Sequence, residues 1–110
     1  MKLKDKVAVV TGGARGLGRA IAQAFLAEGA VVVITDIDEE SVRRTAEELS
    51  AAGRAEGVPM DVSQFDAVQQ AMAGIIEKYG RVDILVNNAG ITADAQLVKM
   101  TEEQFDKVVA

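Results

Sequence analysis

A chain of 110 residues, 49% hydrophobic and 26% charged, can bury one core and has no room for a second domain. Its formal charge of −5 argues against nucleic acid or an anionic membrane surface as partner. With neither cysteine nor histidine it forms no disulfide and carries no thiolate, and it lacks the commonest metal ligand and the commonest general base.

The N-terminal MKLKDK is basic but leads into only four apolar residues before Thr11. That is too short for a signal segment, and no apolar run reaches membrane-spanning length, so the chain reads as cytoplasmic. Val7–Val10 is the first predicted strand, closed by Thr11 and by glycines at 12, 13, 16 and 18. Helix one is predicted from about Gly16, with Leu17, Ala20, Ile21, Ala24 and Phe25 on one face and Gly29 as a left-handed stop. Val31–Ile34 is a continuous β-branched run, as expected of a strand buried on both faces of a parallel sheet.

Asp38 is a plausible cap for helix two, whose stripe is Val42, Ala46 and Leu49 and whose stop is Gly53. On its outer face Glu39 and Arg43, Glu40 and Arg44, Arg43 and Glu47, and Arg44 and Glu48 stand at ion-pair spacing. Strand three is expected over Ala55–Met60, at a sheet edge because of Pro59. Ser63 is expected to cap helix three. Its buried face would be Phe65, Val68, Ala71, Met72, Ile75, Ile76 and Tyr79, stopped by Gly80. Strand four is Ile84–Val86. A long connection, Asn87–Met100, then reaches a fourth helix capped by Thr101 and Gln104, with Phe105, Val108 and Val109 on its apolar face. That helix runs to Ala110 without a stop signal, which reads as a chain cut within a wider sheet. The alternation is α/β, a doubly wound parallel sheet of about four strands in the order 3-2-1-4, forming one unit over residues 1–110.

A buried strand that turns through glycines into a helix is a phosphate cradle. The backbone can approach an anion closely, and the helix start offers unpaired N–H groups. The spacing Gly12, Gly16, Gly18 is wider than the G-x-G-x-x-G fingerprint but has the same physics. Asp36, directly after strand two and followed by Ile37, suits the hydroxyls of an adenosine ribose and repels a 2′-phosphate, favouring NAD over NADP. Arg15 is the counter-signal, because its guanidinium could meet a 2′-phosphate. Asp61 and Val62 fall at the same sheet edge, where they either flank adenine or form an ordinary turn. Asn87, Asn88, Ala89 and Gly90 after strand four can admit and hydrogen-bond a ligand or merely close a turn.

Taken in order, TGGARGLG at Thr11–Gly18, Asp61-Val62 and NNAG at Asn87–Gly90 resemble the motifs of the short-chain dehydrogenase/reductase family over the whole chain. VDILVNNAGIT with MTEEQFDKVV is most similar to the 3-oxoacyl-[acyl-carrier-protein] reductase branch, from which Asp36 departs. The resemblance implies a Rossmann-like fold in which Gly12, Arg15, Gly16, Leu17 and Gly18 line the pyrophosphate and adenosine. It further implies that Asp36 reads the ribose, Asp61 and Val62 hold adenine, and Asn88, Ala89 and Gly90 approach the nicotinamide-side ribose. The family's reaction is hydride transfer between nicotinamide and a carbonyl or alcohol carbon. It uses a serine, a tyrosine with a lysine four residues on, and an asparagine. None of these can be placed here: the only tyrosine is Tyr79, four residues before Asp83, and it reads as core.

Two readings compete. In one the chain is the N-terminal, NAD-binding part of an oxidoreductase, holding NAD or other adenosine phosphates without turnover. In the other it is a self-assembling half-Rossmann scaffold with little ligand function. Either way the apolar edge of strand four should recruit a second copy, giving a homodimer or larger.

Overall fold

A computed structural model describes residues 2–14, 16–88 and 108–109 of the chain. The elements follow in order as β1 (Val7–Thr11), α1 (Gly16–Ala27), β2 (Val31–Asp36), α2 (Glu39–Leu49), β3 (Ala55–Pro59), α3 (Phe65–Tyr79), β4 (Ile84–Val86) and β5 (Val108–Val109). All pairings are parallel, in the order β3-β2-β1-β4-β5, with Val9 beside Val33 and Leu85. The expected order 3-2-1-4 holds, and β3, which carries Pro59, lies at an edge. No helix among the described residues is long and apolar enough to cross a membrane.

Strand alternation sends side chains to two cores. On one face Val10, Val32, Ile34 and Val86 meet Ala22 and Leu26 of α1 and Val42, Ala46 and Leu49 of α2. On the other, Val7, Val9, Val33 and Leu85 meet Val68, Met72 and Ile75 of α3. Ile34 and Leu85 are fully buried, each contributing roughly 2 kcal/mol by leaving water. This double cover explains why the strands read as unbroken apolar runs.

Several expectations need correction. Helix α1 buries Gly18, Ala22 and Leu26, whereas Leu17 is 68% exposed and Ala20 and Ala24 face solvent. The helix is rotated because Gly18 must lie against the Gly12 backbone, where no side chain fits. Helix α2 ends at Leu49 with Ser50 as its cap, ahead of Gly53, because the Ser50 hydroxyl donates to Ala46 O and its N–H to the same carbonyl. Arg43 and Arg44 pair with Glu39 and Glu40 as expected, but Glu48 reaches across to Arg19 of α1. Ser63 is not the cap of α3. Gln64 occupies that position without a side-chain bond, since the Ser63 hydroxyl is taken by Asp61. Phe65, at the first turn, is 37% exposed.

Beyond Asn88, the expected long connection and the start of the fourth helix lie outside the described residues. Val108–Val109, assigned to that helix, instead form β5 beside Leu85 and Val86. A β-branched pair suits a strand, and the open backbone of β4 supplies the partner. The edge expected to recruit a second copy is therefore occupied by the chain itself at those two positions.

Candidate dinucleotide site

The carboxyl ends of β1, β2, β3 and β4 deliver the predicted residues to one rim of the sheet. At its centre the glycine turn is fixed by contacts that tolerate no side chain. Gly12 adopts φ 64°, and a Cβ on Gly18 would stand 2.1 Å from Gly12 O and 2.8 Å from Asn88 Nδ2. A Cβ on Gly13 would strike Ile34 at 2.7 Å, and Gly13 N–H donates to Thr35 O at 3.0 Å. Gly16 also has positive φ, 61°, with open space around it. Gly12 and Gly18 therefore serve close packing, while Gly16 serves the turn at the mouth of α1.

Helix α1 has no acidic residue in its first turn, unlike α2 with Glu39 and Glu40 and α3 with Asp66. No acidic side chain of the helix itself therefore offsets the positive end of its dipole at this rim, an arrangement suited to a phosphate. Arg15 lies outside the described residues.

Thr11 ties the turn to β4. Its hydroxyl donates to Val86 O at 3.3 Å and accepts Asn88 N–H at 2.9 Å. Asn88 returns the contact through Nδ2 to Gly12 O at 3.3 Å. Asn88 thus holds the glycine turn in place, a structural duty beside the ligand contact expected of it. Ala89 and Gly90 lie outside the described residues.

Asp36 ends β2 with its carboxylate oriented by two backbone donors, Ile37 N–H at 2.8 Å and the longer Ala14 N–H at 3.4 Å. A carboxylate has about four acceptor positions, so capacity for ribose hydroxyls is left over. Ile37 beside it is 69% exposed, as is Leu17 to a similar degree across the turn. A bare apolar side chain next to a carboxylate makes a surface suited to a flat, partly polar ligand. Behind Ala14 a polar pocket is lined by Arg19, Ser41, Arg44, Thr45 and Glu48, and Thr45 donates to Ala14 O at 2.8 Å. Asp61, after β3, accepts from the Ser63 hydroxyl at 2.6 Å and from its N–H at 2.9 Å. Those two bonds hold its carboxyl below the usual carboxylate range. Val62 stands next to it, partly buried on the α3 core.

Thr11, Gly13 and Ala14 were not singled out from the sequence as site residues. Thr11 carried a signal, a hydroxyl at the last position of an apolar strand before the glycines. Among the described residues no cluster of acidic side chains could hold a metal.

The family profile described as short chain dehydrogenase matches residues 6–110. A 3-oxoacyl-[acyl-carrier-protein] reductase of Thermotoga maritima is 40% identical over 110 residues, covering 99% of this chain and 45% of that protein. A Burkholderia phymatum short chain dehydrogenase/reductase solved with NAD aligns with TM-score 0.88 at 30% identity, over 96% of this chain and 46% of that one. The Pseudomonas aeruginosa RhlG/NADP active-site complex aligns with TM-score 0.85 at 34% identity, over 94% and 47%. The chain spans less than half the length of the curated relatives it matches. Glycine turn, sheet order and family match agree: the chain belongs to the short-chain dehydrogenase/reductase family.

Proposed function

We propose that these 110 residues are the dinucleotide grip of a short-chain oxidoreductase, binding NAD in preference to NADP and not turning over substrate on their own. One observation carries the reading. The Asp36 carboxylate is steered by backbone donors at the end of β2, across the rim from an α1 N-terminus free of acidic residues. A pyrophosphate meets the helix start, and the carboxylate accepts the ribose hydroxyls and opposes a 2′-phosphate. Gly12, Arg15, Gly16, Leu17 and Gly18 would line the pyrophosphate and adenosine, Ile37 the ribose side, and Asp61 and Val62 the adenine. Asn88, Ala89 and Gly90 would approach the nicotinamide side.

For the whole protein the corresponding activity is hydride transfer between nicotinamide and a carbonyl or alcohol carbon. That this chain supplies no acid/base for it is supported by Tyr79, its single tyrosine. Tyr79 sits where β3 begins, at the opposite rim, and its hydroxyl donates to Glu56. Burial and that bond push it up to about 12, the wrong direction for a proton shuttle at neutral pH. The competing scaffold reading loses the open β4 edge on which it rested. Self-association into a homodimer or larger assembly is retained as a separate proposal. Light scattering that finds a stable monomer at micromolar concentration removes it.

Calorimetric titration with NAD, NADP and ADP-ribose tests the main reading. The expected outcome is binding of NAD and ADP-ribose, with NADP weaker by about tenfold or more from like-charge opposition. Equal affinity for NAD and NADP sinks the ribose assignment. Turnover of secondary alcohols that depends on this chain alone sinks the claim of inactivity.

A further inference from the structure

Helix α2 buries Val42, Thr45, Ala46 and Leu49, and Thr45 is the one polar member of that set. Its place is an unfavourable one for threonine. A β-branched side chain loses rotamer freedom inside a helix, and a buried hydroxyl must find a partner. The partner lies outside the helix. Thr45 Oγ1 donates at 2.8 Å to Ala14 O, 31 positions earlier in the glycine turn. A valine would fill the same space without needing a partner, so packing alone does not account for the hydroxyl.

The helix is seated closely enough to make this contact because Gly57 of β3 lies under it, where a Cβ would stand 2.5 Å from Val42 O. Ala14 is itself buried and is held from two directions. Its N–H donates to Asp36 Oδ2 at 3.4 Å, and its carbonyl accepts from Thr45. One side of this residue is thus tied to the end of β2 and the other to α2, just ahead of α1. The direction of the carbonyl matters to the chemistry of the turn. A phosphate is held by backbone N–H groups, and a carbonyl oxygen turned in among them would oppose it. Thr45 draws the Ala14 oxygen toward α2 instead.

We propose that Thr45 is a positioning residue for nucleotide binding: by holding the Ala14 carbonyl against α2, its hydroxyl keeps the glycine turn in the conformation that receives the pyrophosphate. The inference rests on the dinucleotide reading above and adds to it a residue that acts without touching the ligand.

The test titrates the wild-type chain, Thr45→Val, Thr45→Ser and Ser50→Ala with NAD and with ADP, alongside thermal melts without ligand. Thr45→Val keeps the shape and removes the donor, and is expected to lose about fivefold or more in affinity for both ligands, which share the two phosphates. Thr45→Ser keeps the donor and is expected to bind both within about twofold of wild type. Ser50→Ala is the control for helix stability. Its hydroxyl also donates to a carbonyl of α2, Ala46 O at 2.8 Å, but at the C-terminal end of the helix. That variant should melt lower and still bind both ligands within about twofold of wild type. Thr45→Ala gives the same contrast should valine prevent folding.

A Thr45→Val chain that binds as wild type does overturns the proposal. So does a Thr45→Ser chain as weak as Thr45→Val, which marks packing of the methyl group. An equal loss in Ser50→Ala also overturns it, because the stability of α2 is then the cause. A wild-type chain that binds neither NAD nor ADP overturns the dinucleotide reading itself, whereas wild-type binding that Thr45→Val leaves intact overturns the Thr45 assignment alone.

Discussion

The two rims of this sheet handle polar groups in opposite ways. At the amino-terminal rim charges meet side-chain partners. Asp83 is buried, accepts Val7 N–H at 2.9 Å and takes the Arg81 guanidinium, and its own N–H returns to Val7 O at 2.8 Å. Burial alone would raise its pKa, but the Arg81 bond and the Val7 N–H outweigh it and hold the carboxyl below the usual range. Nearby, Glu56 accepts from Lys78 at 2.7 Å and from Tyr79, and Arg54 and Lys78 lie over the Tyr79 ring. For Glu56, too, burial is outweighed by those hydrogen bonds, and its pKa falls. At the carboxyl rim the carboxylates of Asp36 and Asp61 meet backbone N–H groups and one serine, the first turn of α1 carries no acidic residue, Leu17 and Ile37 are bare, and the Asn87 amide has no partner among the described residues. One rim closes the fold; the other retains unused bonding capacity, which is where a ligand contributes most.

The largest effect that can break this contrast belongs to Gly18. Gly18→Ala drives a methyl into Gly12 O and should cost about 3 kcal/mol or prevent folding, read by urea denaturation. Gly16→Ala meets no atom and should cost only about 1 kcal/mol through its positive φ. Equal costs would mean that the turn is not packed as described. Asp83→Ala comes next. It leaves the Val7 N–H unpaired away from water and should lower stability by about 2 kcal/mol, with NAD affinity unchanged. Because the folded pKa of Asp83 is depressed, its contribution is full above the usual carboxylate range of about 4 and fades as pH falls toward its own lower value. The variant should lose that acid-limb dependence in a pH series of melts.

Asp36→Ala should cost about 1 kcal/mol, less than Asp83→Ala, because it removes the acceptor of Ile37 N–H and of Ala14 N–H at a partly exposed position. It should shift the NAD-to-NADP affinity ratio by about tenfold toward NADP, aided by Arg44 and Arg19 in the pocket behind Ala14. An unchanged ratio would detach the carboxylate from cofactor choice. The smallest effect is that of Tyr79→Phe, about 1 kcal/mol or less for one partly exposed hydrogen bond. With the folded pKa raised to about 12, the wild type should lose that increment as pH climbs from about 10 through 12, and the variant should not.

Sheet order and the two-sided core were legible because Val7–Val10, Val31–Ile34 and Ile84–Val86 are continuous apolar runs broken by glycine-rich turns. The buried side of α1 was legible only in part: Ile21 and Phe25 pack against the core as expected, but Gly18, Ala22 and Leu26 are its buried residues. Periodicity favours Leu17, Ala20 and Ala24, yet the tightest packing is made by a glycine, which hydrophobic patterns do not count. The cap of α3 was misread because Ser63 has a stronger local partner in Asp61 than in the helix start. Val108 and Val109 were misassigned because an apolar pair following a capping box fits a helix, while its actual partner, β4, is distant in sequence. At the carboxyl rim, the glycine turn and the carboxylate ending β2 were legible by residue type and spacing. That Asn88 is spent on the glycine turn while the Asn87 amide has no partner among the described residues was not, because a two-residue repeat of the same amide conceals it.

The contrast between the rims is tested most directly by mapping backbone amide shifts of the nitrogen-15-labelled chain during titration with NAD. Perturbation should concentrate on Gly12, Gly13, Gly16–Gly18, Asp36, Ile37, Asp61, Val62, Asn87 and Asn88, leaving Glu56, Tyr79, Arg81 and Asp83 unmoved. Perturbation centred on the amino-terminal rim, or spread evenly over both, would contradict the account.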